Sequence, residues 1–568
     1  MNKNTTIKIK ICKECNSKFE ITNKDIEFYN KISPVFNEKK YQIPTPKLCP
    51  DCRQQKRLSF RNIRKLYKNK SSLSQKDILS MSTPDSDFKV YSPDEWFSDA
   101  YNPLFYWKEI NFGKSFYSQF KKLFLEVPIV SQSLDLATIE NSDYVNWASL
   151  VKNCYLSYNL VDSENIFYSE AISSSKNIVD CFNIEDSENS YECINSNNIN
   201  TCFYCNHLSS SNNSYFCTNS IWLSNCIWCT NLVNKSYCIF NKQYTKKEYD
   251  IKKQEWLKDI IRLKKISNEF IKTQFTKQNF NLNATQSDWE YLINTKNCNN
   301  CYYCTNSEDL KHCFYIKNWC ENSYDLSIFW NTISNSLELA MSWREVSNCL
   351  FCYWVFINVS NLIYCYYCSN WTKNCFWCVW LKWWEYCIFN KQYSMEEYNK
   401  LVPKIIKHMQ KTWEWWEFFA NDLSIYWYND STAQEYFPLS KKEATYKWFN
   451  WNDYKPDLPK VSKIIKAKDL LKDINKIPDD ILNRAIECEK SKRPFKIIIQ
   501  ELNFYRKYNL QVPTFHPDVR QENRLKSVNL LQKYETTCYK CWKKIITNNN
   551  PQINEKIYCE DCYNRDVF

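Results

Sequence analysis

The chain has 568 residues, 75 Lys and Arg against 63 Asp and Glu (net charge +12), 44% hydrophobic residues, 30 cysteines and a single glycine. This hydrophobic share excludes wholesale disorder, and the length predicts several domains. No apolar run of about 18 residues exists, which excludes an ordinary membrane-spanning helix.

The N-terminal MNKNTTIKIKICKEC lacks the apolar stretch of a signal peptide, so a cytoplasmic, reducing location is expected. There, cysteines serve as metal ligands or buried thiols rather than disulfides. Residues 1–70 carry two Cys-x-x-Cys pairs, Cys12/Cys15 and Cys49/Cys52. Four thiolates make a tetrahedral zinc site, and the two-residue gap lets each pair bite one metal. The intervening stretch predicts a helix over 23–32 and a Pro-bounded extended segment. Beyond Cys52 the chain is basic. Arg53, Arg57, Arg61, Arg64 and Lys68 step by three or four, which places them on one helical face. A basic helix springing from a zinc site can present charge to phosphate, so these five are the candidate nucleic-acid contacts. A solvated surface is the alternative.

Residues 71–140 read as a globular connector with a core-facing helix over 116–125. From Asn141 to Tyr244 the chain repeats. Asn141, Asn153, Asn165, Asn177 and Asn189 are twelve apart, as are Cys181, Cys193, Cys205, Cys217 and Cys229. Twelve residues with short extended runs and polar corners fit one coil of a narrow β-solenoid, whose stacking would make ladders of Asn and Cys. Residues 245–290 form a helical linker, with Trp256, Leu257, Ile260 and Ile261 at helical spacing. A second array over 291–393 repeats at thirteen, through Asn322, Asn335, Asn348, Asn361 and Asn374. Both arrays end in CIFNKQY, at Cys238 and Cys387, an internal duplication offset by 149 residues.

Residues 394–484 hold a helix and the segment Ser431–Leu439, which is expected to dock one domain on another. Residues 485–527 repeat the first zinc module: Phe504-Tyr-Arg-Lys matches Phe28-Tyr-Asn-Lys, and His516-Pro-Asp-Val519-Arg-Gln matches Cys49-Pro-Asp-Cys52-Arg-Gln. Its ligand positions now read Cys488, Ser491, His516 and Val519, so it is expected to have kept its fold and lost its metal. Residues 528–568 carry Cys538/Cys541 and Cys559/Cys562 at ribbon spacing, a second zinc site.

One glycine in a turn-rich chain is physically anomalous, because glycine supplies the left-handed backbone of turns and metal knuckles. The 23 tryptophans include Trp542, directly after Cys541, and Trp427 in a Tyr-Trp-Tyr-Asn-Asp turn. Some bacterial lineages read UGA as glycine where another common table reads tryptophan. Many of these tryptophans are therefore expected to be recoded glycines; a real but unusual composition is the alternative.

Through Cys49-Pro-Asp-Cys52-Arg-Gln-Gln, the CIFNKQY strings, Ser431-Thr-Ala-Gln-Glu-Tyr-Phe-Pro-Leu439, the FYRK segment and the final Cys-x-x-Cys pairs, the chain resembles an uncharacterised family of zinc-ribbon, cysteine-repeat proteins abundant in genome-reduced bacteria. The resemblance covers nearly the whole chain. It implies zinc at the terminal modules and no catalytic residue, with glycine where this chain has Trp413, Trp416, Trp427 and Trp542.

The expected fold is multidomain mixed α/β: treble-clef or ribbon zinc modules flanking two tandem narrow β-solenoids with 12–13-residue coils, plus connecting helices. The expected cofactor is two zinc ions, one on Cys12, Cys15, Cys49 and Cys52, the other on Cys538, Cys541, Cys559 and Cys562. The four histidines stand beside no triad partner and no catalytic motif is present, which favours a non-enzymatic scaffold over an enzyme. Nucleic acid, RNA in particular, is one expected partner and proteins along the solenoids are another; no membrane is expected. The repeat cysteines read as small buried core residues, with metal handling and a redox ladder as alternatives.

Overall fold

The computed structural model describes residues 5–99, 101–256, 260–455, 461, 463–528, 531–554 and 556–568. In chain order the main helices are α1 (Asn23–Ile32), α2 (Pro50–Ser59), α3 (Phe116–Glu126), α4 (Lys246–Trp256), α5 (Ile260–Thr273), α6 (Met395–Lys411), α7 (Thr432–Tyr436), α8 (Ile499–Lys507), α9 (Pro517–Val528) and α10 (Glu560–Val567). None of the helices among the described residues is long and apolar enough to cross a membrane. The chain divides into two compact units, residues 1–132 with 279–453 and residues 133–278 with 454–568. Each contains one solenoid. The helical linker falls on α4 and α5, with Leu257 outside the described residues.

In the unit of residues 133–278 and 454–568, the first solenoid stacks parallel strands from Ile139 to Ile239 and ends in an antiparallel return at Lys242–Gln243. Its register steps by twelve, Leu160 opposite Ile172 and Ile172 opposite Ile184. Neighbouring coils therefore lie about 4.8 Å apart. Each coil is built from triplets. Every third side chain enters the core, as in Val145, Ala148, Val151, Cys154, Ser157 and Leu160. From Ala148 onward the residue before each of these is left-handed, with φ of 57° at Trp147, 55° at Leu150, 54° at Asn153, 46° at Leu156 and 58° at Asn159. Four such turns close one coil. Asparagine recurs there because it tolerates this backbone better than most residues. Its amide then bonds to the next coil, as in Asn165 to Asn177 to Asn189 at 2.9 and 3.0 Å.

The core is too thin for large side chains, and the inward polar groups are satisfied by backbone. Ser175 Oγ donates to the Ser173 carbonyl at 2.7 Å and accepts from Ser187 N at 3.1 Å. Cys181 does the same, donating to the Val179 carbonyl at 3.3 Å and accepting from Cys193 N at 3.2 Å. Serine and cysteine interchange because each is small and carries one donor and one acceptor.

In the unit of residues 1–132 and 279–453, the second solenoid begins earlier than the expected residue 291, at Leu282, and runs to Gln392. Its early register steps by twelve, Tyr302 opposite Phe314, and later by thirteen, Tyr324 opposite Leu337. The thirteenth residue has a specific place. One corner of each longer coil has two successive left-handed residues: Asn318 and Trp319, Asn331 and Thr332, Arg344 and Glu345, Ile357 and Asn358, Asn370 and Trp371. α6 closes this solenoid, burying Tyr398, Val402, Ile405, Ile406 and Met409 and receiving the Trp377 indole N–H on Met409 Sδ at 3.4 Å.

Fourteen of the 23 tryptophans take left-handed backbone, with φ from 45° at Trp354 to 103° at Trp289. Trp413, Trp416 and Trp542 are among them. Trp427 is not: its φ is −75°, ordinary for any residue, and its indole donates to Thr83 Oγ1 at 3.0 Å. The backbone therefore supplies no case for glycine at Trp427.

Candidate metal centres

The N-terminal module is a hairpin (Thr6–Ile11 with Lys18–Thr22), α1 over the expected residues, a second hairpin (Val35–Phe36 with Lys39–Lys40), and α2. Cys12 and Cys15 occupy a tight knuckle at the tip of the first hairpin. Cys12 N donates to the Ser17 carbonyl at 2.8 Å, and Asn16, at φ 60°, donates its N–H to the Cys12 carbonyl at 3.1 Å. Cys49 N-caps α2, with Pro50 supplying the preset first turn. The four Sγ atoms of Cys12, Cys15, Cys49 and Cys52 all lie within 4.8 Å of one another, and Cys15 to Cys49 is 3.6 Å. A tetrahedron with metal–sulfur bonds of about 2.3 Å has edges of about 3.8 Å. The set therefore matches the size of a tetrahedral site, and its four thiols supply all four ligands.

The C-terminal module repeats the plan. Trp542, φ 63°, donates to the Cys538 carbonyl at 2.9 Å, and Cys538 N donates to the Lys543 carbonyl at 2.8 Å. Cys559 N-caps α10. Cys541 and Cys559 sulfurs stand 3.6 Å apart, and the four Sγ atoms again lie within 4.8 Å of one another. Burial raises the Cys538 thiol, but the backbone N–H groups of Cys559, Cys541 and Lys540 outweigh it and bring it down to about 6. Cys49 is pulled down to about 4, chiefly by the hydrogen bond that Cys52 donates, and the same bond pushes the Cys52 thiol up. Thiolate is the form that ligates metal.

Among the described residues these are the two groups of three or more His, Cys, Asp or Glu side chains that come together at metal-ligand distance. The repeat cysteines form no such group. They are buried in the solenoid cores with Leu, Ile and Val. Burial pushes Cys154 and Cys304 up to about 11, so these thiols stay protonated at neutral pH. None of the 30 cysteines is disulfide-bonded.

The degenerate module keeps the same skeleton. Its knuckle is formed by Cys488 and Lys492, φ 59°, whose N–H reaches the Cys488 carbonyl at 3.1 Å. α8 and α9 stand where α1 and α2 stand in the first copy. Cys488 packs in an apolar cluster with Val519, which stands at the position matching Cys52.

The basic stretch after Cys52 departs from expectation. α2 ends at Ser59, so Arg61, Arg64 and Lys68 do not share its face. Phe60 is fully buried between Tyr353, Tyr366, Phe418 and Phe419, and Asn62 turns the chain through reciprocal bonds with Lys65 at 2.8 and 2.9 Å. Lys68 lies exposed on a strand (Tyr67–Lys70). Arg64 pairs with Glu435 at 3.7 Å, and Arg61 is buried, its carbonyl accepting Thr432 N at 2.7 Å. The Ser431–Leu439 segment thus docks α7 on the end of α2, within one unit.

Arg53 and Arg57 are buried against the second solenoid. Arg53 Nη2 lies 2.9 Å from Asp325 Oδ2, and Arg57 Nη2 lies 3.4 Å from Asp325 Oδ1. Arg57 also meets Glu338 at 3.5 Å and donates to Ser327 Oγ at 3.0 Å. Burial pushes the Glu338 carboxyl up to about 7, with the Asp325 charge adding to it and Arg57 and Arg53 opposing. The degenerate module docks on the first solenoid in the same way. Arg520 and Arg524 both bind Asp180, Arg524 Nη1 at 2.8 Å from Oδ1, while Gln521 donates to Glu170 at 2.7 Å. Asp180 and Asp325 both occupy left-handed corners, φ 55° and 58°. These arginines are docking groups, not a surface offered to phosphate. Their carboxylate partners carried no sequence signal, since each lies more than 250 residues away from its first-copy arginine or more than 330 from its second-copy one.

No protein-family model, no curated protein and no solved structure matches this chain.

Proposed function

We propose that this chain is a non-enzymatic scaffold stabilised by two structural zinc ions, one in a treble-clef-like N-terminal module and one in a C-terminal ribbon. The observation that carries this is the pair of closed four-cysteine sets, each built on a knuckle and a helix N-terminus. A set of four thiolates with no open position suits structural zinc rather than catalysis. Zinc binding of roughly 10–16 kcal/mol would be folding energy for these small modules. The solenoids add long, regular faces of the kind that bind proteins. A reducing, cytoplasmic setting belongs to the same reading, since it keeps the ligand cysteines available as thiolates. Membership of the zinc-ribbon, cysteine-repeat family is part of the same reading.

Metal analysis of the full-length chain tests it. Two zinc ions per chain, lost one at a time in Cys12→Ser and Cys538→Ser variants, is the expected result. Iron in their place, or fewer than one ion per chain, overturns the reading. Many more than two would favour metal handling by the repeat cysteines.

A further inference from the structure

α6 is amphipathic in an unusual sense. Its apolar face is covered by the second solenoid, and its other face is a row of lysines. Lys400, Lys404, Lys407 and Lys411 step by four, three and four, so they stand on one side of the helix, and all four are exposed. From Tyr398 to Lys411 the helix has no acidic residue; Glu396 and Glu397 sit in its first turn, where Glu397 completes the Ser394 capping box. None of the four lysines forms an ion pair among the described residues. At 1.5 Å per residue the row is about 16.5 Å long.

The zinc module is tied to this helix by a specific bond. Pro403 has no N–H to give the Asn399 carbonyl four residues earlier, which leaves that acceptor unmet in the helix. Asn37, at the tip of the second hairpin with φ 48°, donates its side-chain amide to that carbonyl at 3.0 Å. The tip carries the exposed Lys39 and Lys40, alongside Glu38. At the other end, the His408 ring meets the backbone carbonyl of Lys114, itself exposed, at 3.2 Å.

We propose that this lysine row on α6, extended by the hairpin of the N-terminal module, is a nucleic-acid-binding face that tracks a phosphate backbone. The proposal goes beyond the scaffold reading. It moves the nucleic-acid role from the buried arginines of α2 to a helix on which the charges are exposed. A strand presents a phosphate about every 3.4 Å along the duplex axis, so the row spans roughly five phosphates. Lysines on flexible stems suit such repeated, sequence-independent point charges. A membrane surface fits less well. An interfacial helix buries its apolar face in lipid, whereas the apolar face of α6 is buried in protein.

The test is fluorescence anisotropy of the full-length protein with a 20-nucleotide RNA and a 20-base-pair DNA, over a salt series from about 50 to 200 mM. Four neutralised phosphates give log K against log salt a slope of about −3.6 on duplex and about −2.8 on single strand. Single-strand affinity should therefore fall roughly 50-fold over that range. The variant with Lys400, Lys404, Lys407 and Lys411 changed to Gln should lose most of the slope and more than 10-fold in affinity at low salt. Its circular dichroism and zinc content should be unchanged, because the four side chains hold nothing in place. A charge-matched variant, with Lys246, Lys247, Lys252 and Lys253 of α4 changed to Gln, should bind nearly as the parent does. The proposal fails if the parent shows no salt-dependent binding. It also fails if the two variants lose affinity equally, which would leave only the net charge, or if phosphatidylserine vesicles bind more tightly than nucleic acid through the same lysines. The metal count is read separately, so either reading can fall without the other.

Discussion

Changing Asp325 to Asn removes one charge from a site that is 1% exposed and leaves its backbone untroubled, because asparagine tolerates φ 58° as well as aspartate does. The carboxylate holds Arg53 at 2.9 Å and Arg57 at 3.4 Å, and both guanidinium groups are buried. Without it Glu338 is the one carboxylate left paired with them among the described residues, at 3.7 and 3.5 Å. Breaking a buried pair from one side costs about 3–5 kcal/mol, against about 0–1 for a surface pair. Since Glu338 remains, the lower end applies, about 3 kcal/mol. With a urea slope of about 3 kcal/mol per molar, the unfolding midpoint of this unit should fall by about 1 M. Urea titration followed by tryptophan fluorescence reads the shift. Asp180→Asn should produce a matching loss in the other unit, where Arg520 and Arg524 converge on the same kind of corner. A midpoint shift below about 0.3 M, the surface-pair range, would refute the claim that these arginines are docking groups.

Three further outcomes are expected. Cys562→Ser should release the C-terminal ion alone, leaving one zinc per chain by mass spectrometry of the native protein. Trp542→Gly should keep both ions and raise stability. It relieves a left-handed strain of about 1–2 kcal/mol and adds about 0.5–1 kcal/mol of unfolded-state entropy, a net gain of about 0.5–1 kcal/mol by chemical denaturation. A UGG codon at Trp542 would remove the recoding argument there. His207, brought down to about 3 by burial, is neutral in the fold. The unfolded chain therefore binds the extra proton first, and stability falls as pH drops below about 6.5. His207→Asn keeps the φ 55° corner and the contact with Asn195, and it should flatten the pH 4–6.5 limb of the stability curve.

Both four-cysteine sets were legible because a chelating pair needs only local spacing: a two-residue gap lets two sulfurs reach one ion wherever the pair occurs. The repeat was legible as twelve and thirteen because the ladders reuse residue types. The period of three beneath it was not, since the inward slot accepts Cys, Ser, Ala, Val, Leu or Ile alike, and even Phe at 329. The site of the thirteenth residue was equally hidden, as Trp319, Thr332, Glu345, Asn358 and Trp371 share a backbone angle and no chemistry.

The N-terminal module shows the division between sequence and tertiary structure most clearly. Its sequence by itself pointed to α1 over 23–32, which the structure closes with a capping box of Thr22 and Asp25. It also determined that residues 53–70 are basic. Which way that charge faces was decided by the second solenoid, some 270 residues further along, where a left-handed corner places Asp325 under Arg53 and Arg57. Charge and helical periodicity describe a face, but burial depends on what is packed against it. Only the assembled unit shows that the arginines of α2 are covered while the lysines of α6 are open to water.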